Sequence, residues 1–228
     1  MNPGLLKKCV AEFIGTFTLI FIGVGAIHNA SDPTAGVGLL GVALAHGLAI
    51  AVMVSSTGGI SGGHLNPAVT FGLFVGGKIK LTDSIAYWVA QLAGGSAAGF
   101  LLLSIFSANG VAIVAGGTPD LAKDVAQSTG IIVEAVMTFF LVFVVYGTAV
   151  YAHAPKIGGL AIGATITMDI LFGGPITGGS MNPARTFGPA LASGHWNNHI
   201  VYWAGPLLGG AVAGLICGRF LDRVNPRN

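Results

Sequence analysis

The chain has 228 residues, 53% of them apolar and only 8% charged, with a mean hydropathy of +0.80. A soluble domain averages about 25% charged residues, so composition excludes one, and this length is filled by roughly six spans of ~20 residues with short loops. The formal charge of +2 is too small to point to a nucleic-acid partner, and two isolated cysteines, Cys9 and Cys217, give neither a disulfide framework nor a zinc-ligand spacing, so they read as small apolar packers.

Lys7 and Lys8 precede a first apolar stretch, residues 9–27. It is too long for a signal-peptide core and contains Glu12, so it reads as a span. Further spans are expected at residues 37–57, 84–106, 129–151, 157–173 and 199–218. Between the second and third lies Ser-Gly-Gly-His-Leu-Asn-Pro-Ala-Val-Thr-Phe-Gly, residues 61–72. Between the fifth and sixth lies Thr-Gly-Gly-Ser-Met-Asn-Pro-Ala-Arg-Thr-Phe-Gly, residues 177–188, identical at eight of the twelve positions.

Each copy is a helix start. Asn66 and Asn182 are favoured N-caps, Pro67 and Pro183 fit the first helical position, and Ala68 and Ala184 begin the turn. The apolar tails reach only Val75 and Leu191, which makes helices of roughly 13 Å, about half of a ~30 Å hydrocarbon core. A break of this kind survives inside a membrane only where it is buried in protein or lines a watery cavity.

The repetition extends further. Glu12 and Thr16 in the first span match Glu134 and Thr138 in the fourth, and Tyr87-Trp88 matches Tyr202-Trp203. Gly95-x-x-x-Gly99 matches Gly210-x-x-x-Gly214, a close-packing signature. Each copy holds three spans and a half-helix, and three is odd, so the second copy is inverted. The expectation is an all-α membrane protein: one transmembrane domain over residues 1–228, six spanning helices and two re-entrant half-helices, as inverted repeats at about 1–110 and 125–228.

Lys7, Lys8, Lys78, Lys80, Lys156, Arg219, Arg223 and Arg227 fall on the side of the termini, with Lys123 alone opposite and Arg185 inside the second motif. Both termini are therefore expected in the cytoplasm. The connection at residues 107–128 carries no motif and is expected to be a solvated linker.

Inversion brings both half-helix N-termini to the midplane. Their positive ends disfavour a cation there and tolerate a neutral polar molecule. The side chains of Asn66 and Asn182 offer amide donors, and Gly62, Gly63, Gly178 and Gly179 let backbone carbonyls face the cavity as acceptors. Such a path suits small uncharged solutes.

The two Asn-Pro-Ala motifs, Ala-Glu-Phe-Ile-Gly-Thr in the first span and Arg185 directly after the second motif make the chain resemble the aquaporin family, the major intrinsic proteins, along its whole length. The resemblance implies a passive water channel in a lipid bilayer, assembled as a homotetramer, with no cofactor, no metal and no enzymatic activity. It implies a selectivity filter at His46, Ile170, Gly179 and Arg185, where His46 stands twenty residues before Asn66 and Ile170 twelve before Asn182. It also makes Glu12 and Glu134 supports of the motif loops and lets His64 and Ser180 join the pore wall.

The filter set resembles the tonoplast intrinsic protein branch of plants. With Ile170 and Gly179 at two corners, the aperture is expected to be wider and less polar than in the strictest water channels, passing ammonia, urea or peroxide beside water. The membrane is then the cell (inner) membrane of a microbe or the vacuolar membrane of a plant. Glycerol facilitators of the family carry Asp after the filter arginine, where Thr186 stands here, so glycerol is the alternative substrate. Two rivals from other classes are a coupled secondary transporter, which needs a proton or sodium site, and a structural membrane-junction protein. Asp169, next to Ile170, is expected to point away from the pore and to bond a neighbouring helix or loop. His195 and His199 are expected in a solvated interface.

Overall fold

A computed structural model describes residues 3–106 and 108–224; Arg227 and Ser107, named above, lie outside the described residues. Among the described residues the chain is all-α, without a strand. In chain order the helices are α1 (Pro3–Ala30), α2 (Gly38–Ser61), α3 (Pro67–Val75), α4 (Leu81–Ile105), α5 (Ala108–Ile113), α6 (Gln127–Val145), α7 (Gly158–Thr177), α8 (Pro183–Ser193) and α9 (Val201–Leu215). α6 and α9 each continue into a π-helical turn, Tyr146–Val150 and Ile216–Phe220. Six of these helices are long and apolar enough to cross a membrane. α3, with 9 residues, and α8, with 11, are the expected half-helices.

Two spans end later than their sequence suggests. Gly58-Gly59 in α2 and Gly173-Gly174-Pro175 in α7 look like terminators, yet both helices run on to residues 61 and 177. They stop at left-handed C-caps, Gly62 (φ 92°) and Gly178 (φ 83°), whose N–H groups bond the carbonyls of Gly58 and Gly174 at 3.1 and 3.0 Å. Local propensity is overridden because spanning segments must satisfy their backbone internally.

The halves pack alike. α1 lies against α2 and α4, and α6 lies against α7 and α9. Each half-helix crosses to the last helix of the other half, α3 onto α9 and α8 onto α4, while α2 and α7 meet at the junction. The paired glycines make that crossing possible. A Cβ on Gly95 would fall 2.7 Å from the Ala184 carbonyl, one on Gly99 2.7 Å from that of Gly188, and one on Gly210 2.6 Å from that of Ala68. Large apolar side chains such as Leu48, Val52, Val89 and Leu160 face outward, while Glu12, Gln91, Glu134 and Arg185 are buried. That polarity suits a molecule surrounded by lipid around a polar interior.

The connection at residues 107–128 is not a solvated linker. It contains α5, and residues 116–119 are buried. Ala122 donates to the Ile176 carbonyl at 2.9 Å. Asp120 accepts from His195 Nε2 (2.7 Å), Asn198 Nδ2 (2.7 Å) and the Leu121 N–H (2.8 Å). Burial pushes the Asp120 carboxyl up, but the bonds from Asn198, His195 and Leu121 outweigh it and hold the group below the usual carboxylate range. His195 is thus paired within the loop cluster, and His199 accepts from Trp203 Nε1 at 3.1 Å.

Candidate functional site

The two Gly-Gly-x-x-Asn loops fold identically. Gly62 and Gly63 (φ 92° and 62°) are followed by Leu65 in the left-handed region (φ 54°); Gly178 and Gly179 (83° and 61°) are followed by Met181 (53°). A left-handed Leu or Met costs on the order of 1–3 kcal/mol unless its surroundings hold it. Here a buried carboxylate does so. Glu12 Oε2 accepts from the Leu65 N–H, and Glu134 Oε2 from the Met181 N–H, both at 2.6 Å. The other oxygens accept from the N–H of His64 and of Ser180 (3.0 Å each) and from the hydroxyls of Ser61 (2.6 Å) and Thr177 (2.7 Å). Tyr87 and Tyr202 tie the same loops by donating to the Ser61 and Thr177 carbonyls at 2.7 Å.

Asn66 and Asn182 cap the half-helices as expected: Oδ1 of each accepts from the N–H of Ala68 (2.8 Å) or Ala184 (3.0 Å). Their amide groups also lock the halves together. Asn66 Nδ2 donates to the Met181 carbonyl at 2.8 Å, and Asn182 Nδ2 donates to the Leu65 carbonyl at 3.0 Å. An NH₂ group has two protons, so one on each Asn stays available to a passing oxygen or nitrogen.

A cavity joins these groups. Asn66, Asn182, Gly63, His64, Gly179 and Ser180 line it on one side; Leu19, Ile50, Val54, Leu141, Ile162 and Ile166 give it an apolar wall. Gly62 and Gly178 stand one residue back from the lining, as helix caps. Among the described residues nothing donates to the carbonyls of residues 62–64 or 178–180. Residues 63, 64, 179 and 180 of these two runs line the cavity, so their carbonyls supply acceptors suited to a polar guest.

The four expected filter positions, His46, Ile170, Gly179 and Arg185, all line this cavity. Arg185 is 2% exposed; its Nη1 donates to the Gly117 carbonyl at 2.8 Å, and its Nε has no partner among the described residues. His46 Nδ1 lies 2.9 Å from the Val42 carbonyl, which can only accept, so the neutral ring carries its proton on Nδ1. Nε2, which has no partner among the described residues, is then an acceptor turned toward Gly23 of α1. The filter therefore offers the donor edge of Arg185 beside the imidazole ring, Ile170 and a bare backbone.

Three further groups support the site, and two of them, Gly117 and Gln91, belong to no motif in the sequence. Gly117 contributes through its carbonyl, which no side-chain pattern announces. Gln91, fully buried, donates from Nε2 to Glu12 Oε2 (2.7 Å) and to Thr70 Oγ1 (3.0 Å); an amide inside an apolar span was its clue in the sequence. Trp88 Nε1 reaches the Pro67 carbonyl at 3.0 Å. Asp169 is buried and outside the cavity lining, as expected, but its Oδ2 has no partner among the described residues, so the expected bond is not formed there.

A family model described as "Major intrinsic protein" matches residues 1–217. The chain is 47% identical over 226 residues to "Aquaporin TIP2-3" of Zea mays, covering 96% of this chain and 89% of that protein. It is 44% identical over 221 residues to "Aquaporin TIP2-1" of Arabidopsis thaliana, covering 93% and 86%. The X-ray structure of the aquaglyceroporin from Plasmodium falciparum superposes with a TM-score of 0.84 at 22% identity, over 95% of this chain and 97% of that one, which shows a common fold.

Proposed function

We propose, from the premise that this chain belongs to the major intrinsic protein family and is a passive transmembrane channel for water, that the same pore also passes ammonia and other small neutral solutes. It is a channel and not an enzyme. The observation that carries the reading is the order of polar groups along one wall: the carbonyls of residues 63 and 64, without a donor among the described residues, the Asn66 and Asn182 amides, then the carbonyls of residues 179 and 180, likewise without one. A water at the Asn pair accepts a hydrogen bond from each amide at its oxygen. Its own protons then point outward to the two carbonyl runs, so no continuous proton wire forms. The half-helix N-termini add positive potential at the same place.

Ammonia is supported by the filter. Beside the His46 imidazole, Ile170 and Gly179 leave two corners without a polar side chain, which suits a small neutral solute. Thr186 is fully buried with its hydroxyl 2.6 Å from Ser180 Oγ, so it supplies no polyol contact. The carboxylates of Glu12 and Glu134 are occupied by loop donors, which argues against a coupled transporter. One domain of two inverted copies, residues 1–110 and 125–228, and a homotetramer with one pore per subunit complete the reading. Lys78 pairs with Asp222 at 2.6 Å and Arg219 Nε donates to the Val75 carbonyl at 3.1 Å. These links put the loop after α3 beside the C-terminal end and support a cytoplasmic basic face.

The test is purified protein in liposomes, with osmotic shrinkage and internal pH under an ammonium gradient followed together. Rapid water flow with ammonia entry that His46→Phe removes is the expected result. Water flow without ammonia entry would reduce the protein to a plain water channel.

A further inference from the structure

We infer that Gly23, on the first helix and outside the pore wall, sets the width of the filter by giving the His46 ring a recess to lie in. Gly23 is buried on the face of α1 that meets α2. A methyl group built on it would stand 2.7 Å from His46 Cε1 and closer still to Cδ2 and Nε2. The imidazole thus lays its outer edge on bare α1 backbone, in space that any larger residue would fill. The inference rests on the reading of His46 as a filter wall.

Relief of that contact has few directions. Nδ1 is tied to the Val42 carbonyl at 2.9 Å, which holds the ring's inner edge. The α2 backbone cannot withdraw from α1, because the next residue, Gly47, already touches α7. A Cβ on Gly47 would fall 2.6 Å from the Gly163 carbonyl, and one on Gly163 would fall 2.9 Å from the Ala51 N. α2 is therefore held between two backbones with no slack, and close-packed interiors pass such strain to the softest group. That group is the imidazole, and its open side is the cavity it shares with Ile170 and Arg185. An alanine at residue 23 pushes the ring into the aperture, so a residue that touches no solute decides which solutes fit.

The experiment compares four proteins in liposomes: wild type, Gly23→Ala, His46→Ala and the double variant. Osmotic water permeability, urea uptake and ammonia entry are measured on each. Gly23→Ala should lower urea uptake about tenfold and water permeability far less, the scale of effect expected when one methyl group must be accommodated in a packed wall. On the His46→Ala background the same change should alter neither flux. Gly23→Ala that inserts only when combined with His46→Ala also supports the assignment. Unchanged fluxes in Gly23→Ala would overturn it, and so would an equal loss with and without His46, or failure of both Gly23 variants to insert. If wild type passes neither urea nor ammonia, the wide-filter reading fails on its own. Gly23 is then judged by water flux, which must drop only where His46 is present.

Discussion

Glu12 and Glu134 occupy the same place in the two halves, yet Glu12 accepts four hydrogen bonds and Glu134 three. The additional donor is Gln91 of α4. Four residues after the matching tyrosine of α9 stands Pro206, which has no donor. The first loop is therefore held from two helices, α1 and α4, and the second takes its carboxylate bonds from α6 alone.

Removing Gln91 should consequently weaken one half only. In Gln91→Leu, Glu12 Oε2 keeps the Leu65 N–H but loses its second donor, and Thr70 loses a partner. A hydrogen bond to a charged group is worth roughly 1.5–3 kcal/mol, and the variant should lose about that much stability. Thermal unfolding in detergent measures it. Water permeability of the surviving folded protein should stay near wild type, since Gln91 does not line the cavity.

Arg185 illustrates a charge whose geometry matters as much as its sign. Lysine at this position keeps the charge but cannot hold the planar guanidinium geometry against the Gly117 carbonyl. Two unit charges about 4 Å apart repel by about 4 kcal/mol at an effective dielectric near 20, so Arg185→Val should raise proton and cation leak at least tenfold. Arg185→Lys should retain most cation exclusion while changing the ratio of urea to water flux. Liposomes with an internal pH dye separate the two outcomes.

The connection between the two halves should respond to acid through Asp120. Its folded carboxyl lies below the ordinary value because the bonds from Asn198, His195 and Leu121 prevail over burial. A depressed carboxylate stabilises the fold above its unfolded pKa of about 3.9 and loses that contribution as pH falls through the folded value. At neutral pH, Asp120→Ala should melt lower than wild type by on the order of 1 kcal/mol. The difference should close below about pH 4, which melting curves at stepped pH will show.

The spans were legible because an apolar run long enough to cross lipid finds no burial of comparable extent in a small soluble domain. The half-helices were legible because the same N-cap, proline and glycines occur twice. Helix ends were less so: Gly173-Gly174-Pro175 carries every mark of a terminator, and only the packed surroundings keep it helical. At the site, the side chains expected to line the pore do converge. What escaped was backbone chemistry and asymmetry. The Gly117 carbonyl has no sequence signature, and Gln91 was hidden because comparing the copies draws attention to what repeats, while Pro206 breaks the match. Asp169 was expected to have a partner, and its Oδ2 has none among the described residues.

The crossing of the half-helices gives the sharpest test of the fold itself. Gly188 of α8 lies so near Gly95 of α4 that a Cβ there would overlap the Gly95 carbonyl and come within 2.9 Å of the Ser96 N. Backbone on both sides leaves nothing flexible to yield, so Gly188→Ala should cost about 1–3 kcal/mol through overpacking. Gly188→Leu should prevent insertion. The mirrored contact, in which a Cβ on Gly72 of α3 would fall 2.6 Å from the Gly210 carbonyl, predicts the same pair of outcomes for the other half. Gly58 is the control, exposed in α2 with no atom near its absent Cβ. Gly58→Ala removes a helix-weakening glycine and should leave stability unchanged or raise it by up to ~1 kcal/mol. Equal losses at Gly58 and Gly188 would mean that glycine acts here through chain flexibility; a loss confined to Gly188 and Gly72 ties it to the crossing.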